Sequence, residues 1–406
     1  MERIIFHVDV NSYFATIMQQ ENPALRGKPI GILKSAGRTC VIAASKEAKK
    51  LGIKTGERLR EAKVKAPDLI TIPAQFDIYL DCTHRLKKVF REFCPKVDIF
   101  SLDEAFLELT NCEEIMGEPI SYAQKIQSAI KKELGSWVTC NVGISHNKLL
   151  AKMAGEIAPK GSVLVIDQSN LDSILSTVEF ADVCGVGWAL SKKLSFLGVT
   201  HPYQINFLDD ALLSAHFGPF WSKELRKIGQ GKETHFFMHA PKTDYMQSVG
   251  RTITGYKLTD DEDVIRRTLL NLLEEATYKI RHMDLAGRHI GVSLWGHERH
   301  WGAHKTLKFW VRHTSEIFPL LYEGMYKQWQ RDFPIIKFGV FVGGLEPVFP
   351  TSLLPEAHKN EKISRASDAI NNRFGRFTVY PATLLGQPLI RPEVTGYLGD
   401  KTYLGL

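Results

Sequence analysis

Hydrophobic spacing changes character twice along the chain. Up to about residue 166, short apolar runs alternate with helical periods. "RIIFHVDV" reads as a strand ending in Asp9, and "NSYFATIMQQ" as a helix with Asn11 or Ser12 as its N-cap. "KPIGILK" and "TCVIAA" predict two further strands, and "SKEAKKLG" a helix closed by Gly52. Residues 77–94 repeat with a helical period through Tyr79, Leu80, Leu86, Val89 and Phe90. "VDIFSLDEAFLELT" follows as a buried strand, then "SYAQKIQSAIKKELG" as an amphipathic helix and "VTCNVGIS" as a strand. Strands alternating with helices predict an α/β domain.

After "SVLVID" the pattern turns helical with short loops. "DVCGVGWALSKKLSFLG" sets two glycines at a tight turn before a basic helix, and "HFGPFWSKELRKIGQG" is a looser second version. Residues 233–246 have no period and read as a linker. From "QSVGRTIT" the order becomes strand, long helix (263–282), two strands, helix (314–331), strand, which predicts a compact α+β domain. The stretch from residue 347 is rich in Pro, Gly and Leu, with one helical piece, "SRASDAINNRFG".

Composition sharpens this only a little. A chain of 406 residues exceeds one core, so several domains are expected. A formal net charge of +7 suits a polyanionic partner. The six cysteines form no CxxC pair and no zinc spacing, and are expected to be reduced thiols of a cytoplasmic protein. The N-terminus reads as a strand, not a signal peptide, and no run approaches the ~18 apolar residues of a membrane span.

The candidate chemistry is acidic. Asp9 ends one strand, while Asp103 and Glu104 interrupt an apolar run. Burying such charges costs several kcal/mol unless they are paired or bind metal. Three acids with few basic residues beside them repel one another, and a divalent cation relieves that. Hard oxygen ligands favour Mg²⁺ or Mn²⁺, and two such ions would serve phosphoryl transfer. The bland alternative is three unrelated strand-end residues. The discriminating expectation is that Asp9, Asp103 and Glu104 converge within metal-bridging distance. The backbone N–H groups of Val10 to Phe14 would make a phosphate site at a helix N-terminus, with Lys46 and Lys49 in reach. Gly185 and Gly187, followed by Lys192 and Lys193, have the form of a helix-hairpin-helix turn that holds a DNA backbone without reading sequence.

These motifs in order, "HVDVNSYFA", "NPALRGKPI", "CVIAASKEAKKLGIKTG", "SLDEAFLELT", "VGISHNKLLAKMA", "DVCGVGWALSKKLSFLG" and "SVGRTIT", resemble the Y-family, or translesion, DNA polymerases, the group of DNA polymerase IV (DinB) and UmuC. The resemblance runs from residue 3 to about 345. It implies an α/β and α+β multidomain, right-hand architecture: palm (1–18 and 76–167), small fingers (19–75), helix-hairpin-helix thumb (168–232), linker (233–246), little finger (247–346) and a C-terminal extension (347–406). It implies two Mg²⁺ ions, which Mn²⁺ can replace, held by Asp9, Asp103, Glu104 and the Val10 carbonyl. It implies primer–template DNA and dNTP as partners, with Phe14 as the steric gate against a 2′-OH beside Tyr13, and Arg251 on the DNA backbone. The triphosphate contacts fall at Lys46 and Lys49, where DNA polymerase IV enzymes carry Tyr and Arg. Lys160 in "APKGS" stands one position from the family's lysine. A sliding clamp is implied as a partner through the end "TYLGL", or through "QPLI" at Gln387. "DVNSYFA" and "ASDAINNRFGRFTV" are similar to UmuC-like members. A different palm-type two-metal enzyme, such as a nucleotide cyclase, would leave the hairpin turn and third domain unused. A non-catalytic repair scaffold of this fold would have no need of all three acids.

Overall fold

The computed structural model describes residues 3–34, 40–238, 245–347, 355–386 and 389–390. Two compact units are present, one holding the described residues up to 238 and the other those from 245 to 390.

The first unit opens with β1 (Ile5–Val10) and α1 (Tyr13–Glu21). Next come β2 (Ile30–Leu33), β3 (Val41–Ala44), α2 (Lys46–Lys50), α3 (Leu59–Lys65) and β4 (Ile70–Pro73). These three strands form a small sheet of order β3-β2-β4. Ser45 caps α2 by accepting from Ala48 N–H, and Gly52 closes the turn at φ +81°, a conformation that favours glycine.

α4 (Phe76–Phe93), β5 (Val97–Ile99), β6 (Glu104–Glu108), α5 (Glu113–Met116), α6 (Pro119–Leu134), β7 (Cys140–Ser145), α7 (Lys148–Ile157) and β8 (Val163–Val165) complete the main sheet, of order β5-β6-β1-β7-β8. Strand alternation divides its faces. Phe6, Val8, Val10, Ala105 and Leu107 pack with residues of α4 and α6 in one core. Ile5 and Phe106 belong to a second core with Leu150, Ala151 and Ala154 of α7. Glycine lets α7 lie directly on the sheet: a Cβ at Gly143 would stand 2.0 Å from the Ala151 carbonyl oxygen.

One expectation is corrected here. "VDIFSLDEAFLELT" is not a single strand. β5 and β6 form an antiparallel hairpin, and Asp103 lies in its turn, where Phe100 and Ser101 N–H both donate to the Glu104 carbonyl. Periodicity cannot register a turn that carries so many apolar residues.

The helical part holds α8 (Leu171–Leu175), α9 (Trp188–Phe196), α10 (Asp210–Gly229) and α11 (His235–Met238). Gly185 takes φ +91° at the hairpin, and α10 kinks at Gly218–Pro219.

The second unit follows the predicted order: β9 (Ser248–Thr259), α12 (Glu262–His282), β10 (Leu285–Trp295), β11 (His300–Val311), α13 (Thr314–Tyr322), β12 (Ile335–Gly343) and β13 (Glu346–Pro347). Its sheet is antiparallel with order β11-β10-β12-β9, and α12 and α13 share the core on one face. The predicted helix 314–331 ends early, at Tyr322, and continues as a 3₁₀ turn at Tyr326–Gln328.

α14 (Pro355–Phe374) belongs to this unit instead of standing apart as a tail. Arg281 grips Asp368, Arg312 grips Glu361, and Asn271 pairs with the Ile390 backbone. Among the described residues no helix is long and apolar enough to cross a membrane. The clamp candidates at Gln387 and the final "TYLGL" lie outside the described residues.

Candidate active site

Antiparallel pairing sets Asp9 directly opposite Glu104, and Val10 N–H donates to the Asp103 carbonyl at 3.0 Å. Directly opposed residues share a face with Cβ atoms about 4.5–5.5 Å apart. All three acids therefore meet at one end of the β1–β6 pair. Burial first, and then the Asp103 and Glu104 charges, push the Asp9 carboxyl up to about 7. Burial also raises Asp103, against a 2.5 Å hydrogen bond from Ser101 Oγ.

Glu104 behaves in the opposite way. Burial opposes its ionisation, but His7 and Lys152 outweigh that and hold it down at about 2. His7 Nε2 lies 2.8 Å and Lys152 Nζ 2.5 Å from the same oxygen, Oε2. Lys152 also meets Glu156 at 3.1 Å. Sequence reasoning missed both partners and counted few basic residues beside the acids; that is corrected. The signals were available: His7 shares the face of Asp9 by the strand's period of two. Lys152 is a lysine inside an apolar helix, which needs a carboxylate.

Strand register brings the backbones of Asp9, Asp103 and Glu104 together, while their side chains have partners of their own. Among the described residues no three His, Cys, Asp or Glu side chains gather as a closed metal cluster. Glu104 is drawn to His7 and Lys152, and Asp103 to Ser101.

The helix N-terminus is also more committed than expected. Val10 N–H serves Asp103, and Asn11 N–H donates to the Thr139 carbonyl. That leaves Ser12 to Phe14, with Ser12 at φ +50°. Tyr13 turns into the core: its buried hydroxyl donates to the Tyr79 carbonyl at 2.7 Å and contacts Thr83. Phe14 is half-buried, stacked on Tyr79 at 4.3 Å and edge-on to Phe76.

Among the candidate lysines, Lys49 and Lys160 both act on Asp9 through their charge. Loss of water around Lys49, and then the Lys160 cation, lower its pKa, while Asp9 and Asp103 work the other way. Lys46 turns elsewhere, its ammonium 4.2 Å from the Trp137 ring centre. At the hairpin, space beside Gly187 is open. Lys192 lies over the exposed rings of Trp188 and Phe196, at 4.8 Å and 5.9 Å, and Lys193 is exposed.

Arg251 departs from expectation. It pairs in register with Val340, a core residue, so its side chain enters the helix-covered side of the second sheet. There it forms an ion pair with Glu275, whose side chain is 2% exposed. The open face is made by its neighbours, through the register pairs Gly250–Phe341, Thr252–Gly339 and Thr254–Lys337. A register slip of one residue separates the two outcomes, and the sequence alone does not set it.

The profile of the impB/mucB/samB family matches residues 8–156, and that of its C-terminal domain matches residues 246–353. A DNA polymerase IV of Moorella thermoacetica is 29% identical over 386 residues, covering 93% of this chain and 95% of the relative. A DNA polymerase IV of Saccharolobus solfataricus is 27% identical, covering 68% of this chain and 78% of its own length. Among solved structures, a Y-family DNA polymerase chimera of Dbh and Dpo4 superimposes with a TM-score of 0.72 at 25% identity, covering 84% of this chain and 98% of its own. An insertion ternary complex of Dbh DNA polymerase gives a TM-score of 0.56 at 24% identity, covering the same shares of the two chains. The two profiles together match well over half of the chain, on both units. The chain belongs to the impB/mucB/samB family, the Y-family of DNA-directed DNA polymerases.

Proposed function

We propose that the protein copies past damaged bases with low fidelity, joining a dNTP to a primer 3′-OH by two-metal nucleotidyl transfer. The observation that carries this reading is the register pair Asp9–Glu104 beside Asp103, with the Asp9 carboxyl pushed up to about 7. Burial and two neighbouring carboxylates raise it, and a bound divalent cation would work against both. Asp9, Asp103, Glu104 Oε1 and the Val10 carbonyl are hard oxygen donors that fit Mg²⁺ or Mn²⁺. When bound, the metals supply Lewis acidity that lowers the pKa of the attacking hydroxyl and offsets phosphate charge.

The chain's own residues do the remaining work. The Phe14 ring, fixed between Tyr79 and Phe76, offers a rigid wall to the sugar. Lys49 and Lys160 place positive charge beside the acids for a triphosphate. Gly185, Gly187, Lys192 and Lys193 present an open, basic hairpin to a DNA backbone. The open face of the second sheet, with Lys337 and no acidic residue on β9, β10, β11 or β12, takes the backbone role first expected of Arg251. A sliding clamp remains the proposed partner for the C-terminal peptide.

Primer extension on undamaged and abasic templates with Mg²⁺ tests the reading, comparing wild type with Asp103→Ala/Glu104→Ala. Extension by wild type that the double variant loses is the expected result. No extension by folded wild type that still binds DNA would sink the catalytic reading and leave a repair scaffold.

A further inference from the structure

A lysine on the covered face of α7 needs a reason. Lys152 is 8% exposed, and the helix around it buries Leu149, Leu150, Ala151, Met153 and Ala154. Placing a cation there costs several kcal/mol unless its partners are excellent. They are: Glu104 Oε2 at 2.5 Å on one side and Glu156 at 3.1 Å on the other.

The close approach is built into the backbone. A Cβ at Gly155 would stand 2.7 Å from His7 Nδ1, so glycine is what lets α7 settle against the strand bearing His7 and Asp9. His7 then contacts the same Glu104 oxygen from β1 at 2.8 Å. Two groups thus converge on Oε2, and among the described residues no hydrogen bond to Oε1 is formed. A carboxylate held by one oxygen keeps the other aimed, much as outer partners orient metal ligands elsewhere.

We propose that Lys152 is a positioning residue for Glu104: with His7 it anchors Oε2, so that Oε1 alone is presented as a metal donor, and its cation, balanced by Glu156, limits how strongly the acid cluster attracts divalent ions. The proposal rests on the polymerase reading for its consequence in turnover, and on metal binding for its independent check. A cation inside a metal site is costly to affinity and useful to geometry. Removing it therefore moves the two properties in opposite directions, which loss of a merely structural residue would not do.

The test uses the full chain, with free Mn²⁺ measured by electron paramagnetic resonance and single-nucleotide incorporation measured on primer–template DNA. Lys152→Met keeps length and volume and removes the charge. The expected turnover falls about 10–100-fold. Mn²⁺ binding is expected to tighten by roughly three- to tenfold, because one nearby repulsion is gone. Lys152→Arg should restore most of the turnover. Glu156→Gln, which leaves the Glu104 contact in place, should weaken Mn²⁺ binding and serves if Lys152→Met fails to fold. Turnover and Mn²⁺ affinity falling together in Lys152→Met, or neither changing, overturns the proposal. So does Mn²⁺ affinity unaltered in Glu156→Gln. A wild type that binds Mn²⁺ but extends no primer defeats the polymerase reading instead, and the Mn²⁺ comparison still decides the anchoring of Glu104.

Discussion

Two antiparallel strand systems, one in each unit, carry opposite charge on the same plan. On β1 and β6, Asp9 and Glu104 face each other beside Asp103, on the face that packs against α7. On β9 to β12, no strand residue is acidic, and the open face holds Thr252, Thr254, Lys337, Phe341 and several glycines. Each sheet buries one charged residue against an opposite charge on the helix that covers it. In the first, Lys152 is buried against Glu104; in the second, Arg251 reaches inward to Glu275. Both devices are buried ion pairs, yet they serve different ends. Lys152 sits against the candidate chemistry and shapes it, whereas Arg251 fastens a strand to a helix. A charged residue in a family motif is thus no guide to its partner until its face is known.

The comparison can be broken from the acidic side first. Asp9→Asn keeps shape and removes charge; extension should fall at least on the order of 10²–10³-fold in single-turnover assays, with DNA binding by anisotropy unchanged. Retained extension would remove Asp9 from the site. Arg251→Ala should act on folding, costing about 3–5 kcal/mol in urea unfolding because Glu275 is left buried without its cation. Full stability with a lost DNA-affinity salt slope would return Arg251 to the DNA surface.

Phe14→Ala should lower selection against ribonucleotides by about tenfold or more, read as a ratio of kcat/KM values. An unchanged ratio would place the gate at another residue. The smallest effect belongs to Lys337→Ala, which should leave stability within about 0.5 kcal/mol. Its log–log salt slope for duplex binding should drop by about 0.9, the value for one phosphate contact. A slope equal to wild type would detach the open face from DNA binding.

Some of this was legible without coordinates. Long amphipathic periods located α4, α6 and α12 to within a residue or two, because such helices carry many repeats of one signal. The order of elements in the second unit was legible for the same reason. The hairpin between Val97 and Glu108 was not, since its turn is apolar.

By itself the sequence determined which residues are available: three acids, a hairpin with two glycines, an acid-free set of strands and an ordered set of motifs. It could do so because composition, periodicity and motif order are local properties of the chain. Only the tertiary structure decided partners. It put His7 and Lys152 on Glu104, turned Lys46 onto Trp137, buried Tyr13 and sent Arg251 to Glu275. Each of those outcomes depends on strand register, or on how closely one element can approach another. Register and approach are set by contacts between residues far apart in the chain, such as His7 with Gly155 and Asp9 with Glu104.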